Sequence, residues 1–217
     1  MGEAKRKRAA IAAAEGQRDE LVAAVARVGS ACRRLFIAAS AHLGSDCFTH
    51  AVIAQVLLAD LGFDAHLKAG AVAWRVGPGD GDVLSHAPGQ KAFTPTGMSP
   101  EQMAVAYHAW LVVHGNIVDV TTYQFVYKAQ MLDTADGGHT TVLWRPDTLI
   151  LPLTQVKTHR EVAMHPDPGV AYYEAHPELL KLLHSTYSLD GEDVARARLL
   201  MANPELQAIG PNQQRAI

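Results

Sequence analysis

Between Cys47 and Leu61 only Thr49, His50, Gln55 and Asp60 interrupt a run of apolar side chains. A helix apolar nearly all round has no face to turn to water, so the rest of the chain must enclose it. With 217 residues, 48% hydrophobic and 19% charged, the chain is large enough to do so within one core. Gly62 stops this central helix, and Ser45 or Asp46 stands where a side-chain oxygen can cap its free N–H groups. Cys47 then falls in the first turn.

The neighbouring segments supply the enclosure. From Gln17 to His42 the residues Leu21, Val25, Val28, Cys32, Leu35 and Ala39 recur at steps of three and four, the stripe of a long helix with one buried face. "FDAHLKAGAVAWRV", Phe63 to Val76, reads as a strand or a bent pair of strands. Gly77 to Pro100, rich in glycine and proline, reads as a long loop, either a lid or a surface excursion. Two β-rich runs, Tyr107 to Val113 and Ile117 to Thr122, flank His114, Gly115 and Asn116 and predict a hairpin. A further strand pair is expected within Thr140 to Leu153, and helices thereafter in "PGVAYYEAHPELLKLLHSTY" and "DGEDVARARLLMANPEL". The fold class is therefore α+β, with the cysteine-bearing helix packed on a mainly antiparallel sheet and extra helices at both ends. Residues 1–157 form the core with the N-terminal helix, and 158–217 form a helical extension packed on the same domain.

A formal net charge of -3 argues against a broad nucleic-acid surface, since phosphate binding needs a clustered basic excess. The run "KRKR" at Lys5 to Arg8 reads as a solvated chain end. No apolar stretch reaches the roughly 18 to 20 residues that span a bilayer, and the chain start lacks a signal-peptide pattern. A cytoplasmic protein with two reduced thiols, Cys32 and Cys47, is expected. Nothing calls for a cofactor or metal; the Cys47-x-x-His50 spacing alone does not make a zinc site.

Three residues carry chemistry. If the hairpin turns at His114 and Gly115, Val113 faces Asn116 and Trp110 faces Asp119, which sets His108 and Asp119 on one face a diagonal step apart. Cys47 at a helix start experiences the positive end of the helix dipole, which favours thiolate. A histidine in reach can hold the thiol proton, and a carboxylate on its other nitrogen fixes the tautomer. Trp110, beside the pair, and His50, one turn beyond Cys47, are the candidate substrate-binding residues. Cys32, on an apolar stripe, reads as core.

"SDCFTHAVIAQVLLADLGFDAHLKAG" followed by "YHAWLVVHGNIVDVTT" resembles the transglutaminase-like branch of the papain-like cysteine superfamily: a cysteine opening a central helix, a His-Ala-Trp strand and a D-x-T on the next strand. It is similar in particular to the bacterial leader peptidases of lasso-peptide systems. The resemblance spans about Ser45 to Tyr123 and implies Cys47 as nucleophile, His108 as base and Asp119 as orienter. The implied activity is acyl transfer through a thioester, most simply hydrolysis of a peptide or amide bond. Transfer to an amine, or an inactive binding module of the same fold, are the alternatives.

Overall fold

The structure, a computed structural model, describes residues 2–39, 47–88 and 106–211. A long helix, α1 (Gly2–Ala38), precedes the central helix α2 (Cys47–Asp60). Leu21, Val25, Val28, Cys32 and Leu35 of α1 are buried, as their spacing requires, while Ser45 and Asp46 lie outside the described residues. Leu57 and Leu58 of α2 are fully buried, each contributing ~1.5–3 kcal/mol of hydrophobic stabilisation.

Phe63 to Val76 contributes one long strand, β1 (Ala65–Arg75), rather than a bent pair. Four strands follow: β2 (Val83–His86), β3 (His108–Val113), β4 (Asn116–Asp119) and β5 (Leu149–Pro152). The order in the antiparallel sheet is β2-β1-β3-β4-β5. β3 pairs with residues 65–70 of β1 and β2 with residues 72–75. β2 lies inside the stretch expected to be a loop; the remainder of that stretch, from residue 89, is outside the described residues. The hairpin register matches the sequence reading, with Val113 opposite Asn116 and Leu111 opposite Val118. His114 and Gly115, with φ of 47° and 73°, both take positive φ, the requirement of the two-residue turn that suits strand twist.

Two expectations need correction. The pair of strands expected within Thr140 to Leu153 reduces to β5 alone. Residues 137–146 run without regular structure because their polar groups are satisfied elsewhere: Leu143 and Trp144 both donate to the Val76 carbonyl, and Thr140 is held by Asp133. The tail is also not wholly helical. After a short helix, α4 (His159–Met164), Ala171–Ala175 forms β6, antiparallel to β1, with Ala171 and Tyr173 turned into the core at a period of two. Helix α5 (Pro177–Thr186) starts only beyond it, with proline in its first turn, and α6 (Gly191–Ala202) follows Asp190, whose carboxylate caps it through the Glu192 N–H.

The sheet has an apolar layer on each face. Ala65, Leu67, Ala69, Ala109, Leu111 and Val118 pack with α1, α2 and α6. Val72, Trp74, Trp110, Ile117 and Tyr173 pack on the other face with Phe125 and Ala129 of α3 (Phe125–Asp136). Among the described residues no helix is long and apolar enough to cross a membrane.

Candidate active site

His108 is the first residue of β3 and Asp119 the last of β4, so the hairpin delivers both to one end of the sheet, on the face that packs against α3. Their side chains meet: His108 Nε2 lies 2.8 Å from Asp119 Oδ2, with both residues almost wholly buried. Burial pushes the Asp119 carboxyl up, but His108, Lys128 and the Thr121 N–H together outweigh it and hold the group well below the usual carboxylate range. An ionised carboxylate only accepts hydrogen bonds, so the proton between the two residues sits on Nε2. The Nδ1 lone pair of a neutral ring is then the one open to a further proton.

Asp119 is held from both oxygens. Oδ1 accepts from the backbone N–H and the hydroxyl of Thr121, both at 2.9 Å, the D-x-T motif folded back on itself. Oδ2 also accepts from the Tyr173 hydroxyl at 2.9 Å, and that hydroxyl accepts from Trp74 Nε1 at 2.8 Å. Burial and the Asp119 charge raise the Tyr173 phenol far above its ordinary value, so it stays a donor. The edge of the Trp74 ring meets His108 with centroids 4.9 Å apart.

Burial lowers the affinity of His108 for a second proton, and the nearby Lys128 charge adds to this, while Asp119 opposes both. The resting ring is therefore biased toward the neutral form, a base rather than a standing cation. Lys128, on α3, lies over the Trp74 ring at 4.9 Å and donates to the Thr121 hydroxyl at 3.3 Å. Its ammonium is destabilised by burial and supported by the charges of Asp119 and of ionised Cys47.

Cys47 opens α2 on the other face of the sheet and is half-buried, its Sγ 3.8 Å from the carbonyl oxygen of Tyr107, the residue before His108. Among the described residues the thiol and the His108 ring are not hydrogen-bonded to each other. The thiol thus reaches the start of β3 and lies within electrostatic range of Lys128, so the three candidate residues gather at one end of the sheet. Cys32, in contrast, is fully buried and its thiol is pushed up to about 12 by burial, an inert side chain.

The other candidates lie further inside. Trp110 is 2% exposed and packs between His108 and Tyr173, so it supports the ring instead of lining an open surface. His50 is not brought to the site. It is fully buried against Phe36 of α1, with Nε2 3.3 Å from the Tyr123 hydroxyl. No cluster of three or more metal-ligating side chains forms among the described residues. Trp74, Tyr173, Lys128 and His86 surround the His108–Asp119 pair and were missed from sequence, where no local spacing marks any of them.

No family model matches the chain, and no curated protein matches it. The crystal structure of the genomics protein APC5867 is similar over 86% of this chain and 82% of its own, with a TM-score of 0.54 and 16% identity. At that identity the likeness is one of fold. The chain is an α+β protein in which helices pack on a curled antiparallel sheet.

Proposed function

We propose that the chain is a cysteine-dependent acyl-transfer enzyme of the transglutaminase-like kind, cleaving a peptide or amide bond through a thioester on Cys47. The observation that carries this reading is the buried His108–Asp119 pair: Nε2 is committed to a carboxylate locked by three further donors, and Nδ1 is left as the basic nitrogen. His108 takes the Cys47 proton as sulfur attacks the carbonyl carbon, then returns it to the leaving amine. Water or a second amine accepts the acyl group from the thioester, with His108 again as base. The position of Cys47 at the start of α2 supports the nucleophile, because the positive end of a helix dipole favours thiolate.

A catalytically silent binding module is the rival. It is favoured by the absence, among the described residues, of a hydrogen bond between thiol and ring, although catalytic contacts commonly tighten only when substrate binds. Incubation with p-nitrophenyl acetate separates the two. The enzyme reading expects a burst of p-nitrophenolate and one acetyl group mapped to Cys47, lost in Cys47→Ala and in His108→Ala; acetylation of lysines alone would leave the binding module.

A further inference from the structure

His86 ends β2 opposite Val72, two residues along β1 from Gly70, the partner of His108. Its ring lies nearly parallel to that of His108, with centroids 6.5 Å apart and planes 21° from each other. On the far side of His108, Trp110 takes the same attitude at 6.4 Å and 10°. The base therefore stands between two parallel rings, one on each flank. The Trp74 ring meets His86 edge-on at 6.0 Å, as it meets His108 at 4.9 Å.

The chemistry of His86 is not explained by this packing. Its Nε2 is buried and has no hydrogen-bond partner among the described residues, a rare condition for a polar nitrogen in a native interior. Burial first, then the positive charges of Lys128 and His108, push its pKa down to about 3, so the ring is neutral throughout the physiological range. A neutral imidazole carries one N–H and can donate it to a negative oxygen while keeping its proton. Negative charge is also what the surroundings favour, since the Lys128 ammonium acts on both His86 and Cys47.

We propose that His86 is a catalytic residue whose Nε2–H donates a hydrogen bond to the carbonyl oxygen of the substrate as that oxygen becomes an oxyanion. The assignment rests on the acyl-transfer reading of Cys47 and His108. In the step concerned, Cys47 sulfur supplies the electron pair of the new C–S bond and its proton passes to His108 Nδ1. The carbonyl π pair moves onto oxygen, where His86 stabilises it without transferring its proton. When the intermediate collapses, that pair re-forms C=O and the C–N bond breaks, the amine leaving with the proton held by His108.

Two reactions of the protein distinguish this role from packing. Alkylation of Cys47 by iodoacetamide passes through no oxyanion, whereas acylation by p-nitrophenyl acetate does. His86→Phe, which retains a ring beside His108 but no donor, is expected to slow acylation by about 10²- to 10³-fold while leaving the alkylation rate unchanged. His86→Gln, which restores a donor, is expected to recover part of the loss, and it carries the test if the phenylalanine variant fails to fold. Equal loss in both reactions would reduce His86 to a support for the His108 ring, and acylation as fast as wild type would remove it from the site. Wild-type protein that alkylates at Cys47 independently of His108 and never acylates there would overturn the acyl-transfer reading, and the role of His86 with it.

Discussion

Tyr173→Phe isolates one atom of the site. The hydroxyl donates to ionised Asp119 at 2.9 Å and accepts from the buried Trp74 Nε1 at 2.8 Å, while the ring packs in the core and would stay. No cavity opens, so the cost is purely polar. A hydrogen bond to a charged group contributes ~1.5–3 kcal/mol, and a buried N–H left unpaired costs ~1–3 kcal/mol. Asp119 keeps His108 and Thr121, so its charge is not stranded and the terms do not add in full. The expected destabilisation is ~2–4 kcal/mol, a large share of the ~5–15 kcal/mol total of an ordinary domain. Urea unfolding followed by tryptophan fluorescence reads it directly. Part of the cost is the orphaned indole, so the same substitution in a Trp74→Phe background should cost ~1 kcal/mol less. A loss below about 0.5 kcal/mol, the range of ordinary surface changes, would mean that the hydroxyl does not bind Asp119 and that β6 is no part of the site.

Stability should fall in acid through the imidazoles that the fold holds neutral, His86 and His108. His86 has a folded pKa of about 3 against an ordinary 6.5, so the unfolded chain takes up a proton first, and stability is full above about pH 6.5 and declines toward pH 3. Between about pH 8 and pH 5 this amounts to ~2 kcal/mol, and His86→Gln, neutral throughout, should flatten the pH dependence of urea unfolding by that much; equal slopes would refute it. Asp119→Asn is expected to lower acylation of Cys47 by orders of magnitude, because an amide oxygen no longer holds the His108 Nε2–H against a carboxylate charge; unchanged burst kinetics would take Asp119 out of the mechanism. Lys128→Met should raise the pH at which Cys47 becomes reactive, since the thiolate loses a nearby positive charge, and an unshifted profile would remove Lys128 from the site.

The hairpin shows what the sequence carries. Once His114 and Gly115 were read as a two-residue turn, the alternation of side chains along both strands determined the register and so the meeting of His108 and Asp119. The central helix was equally legible, because so long an apolar run exceeds the ~4–8 residues of a buried strand. Tyr173 was not legible. "VAYYEAHPELL" begins with residues that helix and strand both accept, and its pairing with β1, a hundred residues earlier in the chain, is set by tertiary contact that local pattern does not encode. Lys128 and His86 were hidden for a related reason. Each sits on an element whose position relative to His108 depends on how the sheet curls, and a lone Lys or His in a short run carries no spacing signal. The side to which α2 presents Cys47 was likewise beyond reach, since a helix apolar all round does not announce which face meets the sheet.

The central claim, that Cys47 is a thiol activated by His108, is tested most directly by the pH dependence of its alkylation, with Cys32 as an internal control. Timed iodoacetamide treatment of native protein, followed by peptide mass spectrometry, reads both thiols in wild type and in His108→Ala. Cys47 is expected to react readily near neutral pH, below the ~8.5 of a free thiol, while Cys32, its thiol raised to about 12 and fully buried, stays unmodified. Loss of His108 should slow Cys47 toward an ordinary thiol. Modification of Cys32 first, or a Cys47 profile identical with and without His108, would contradict the account.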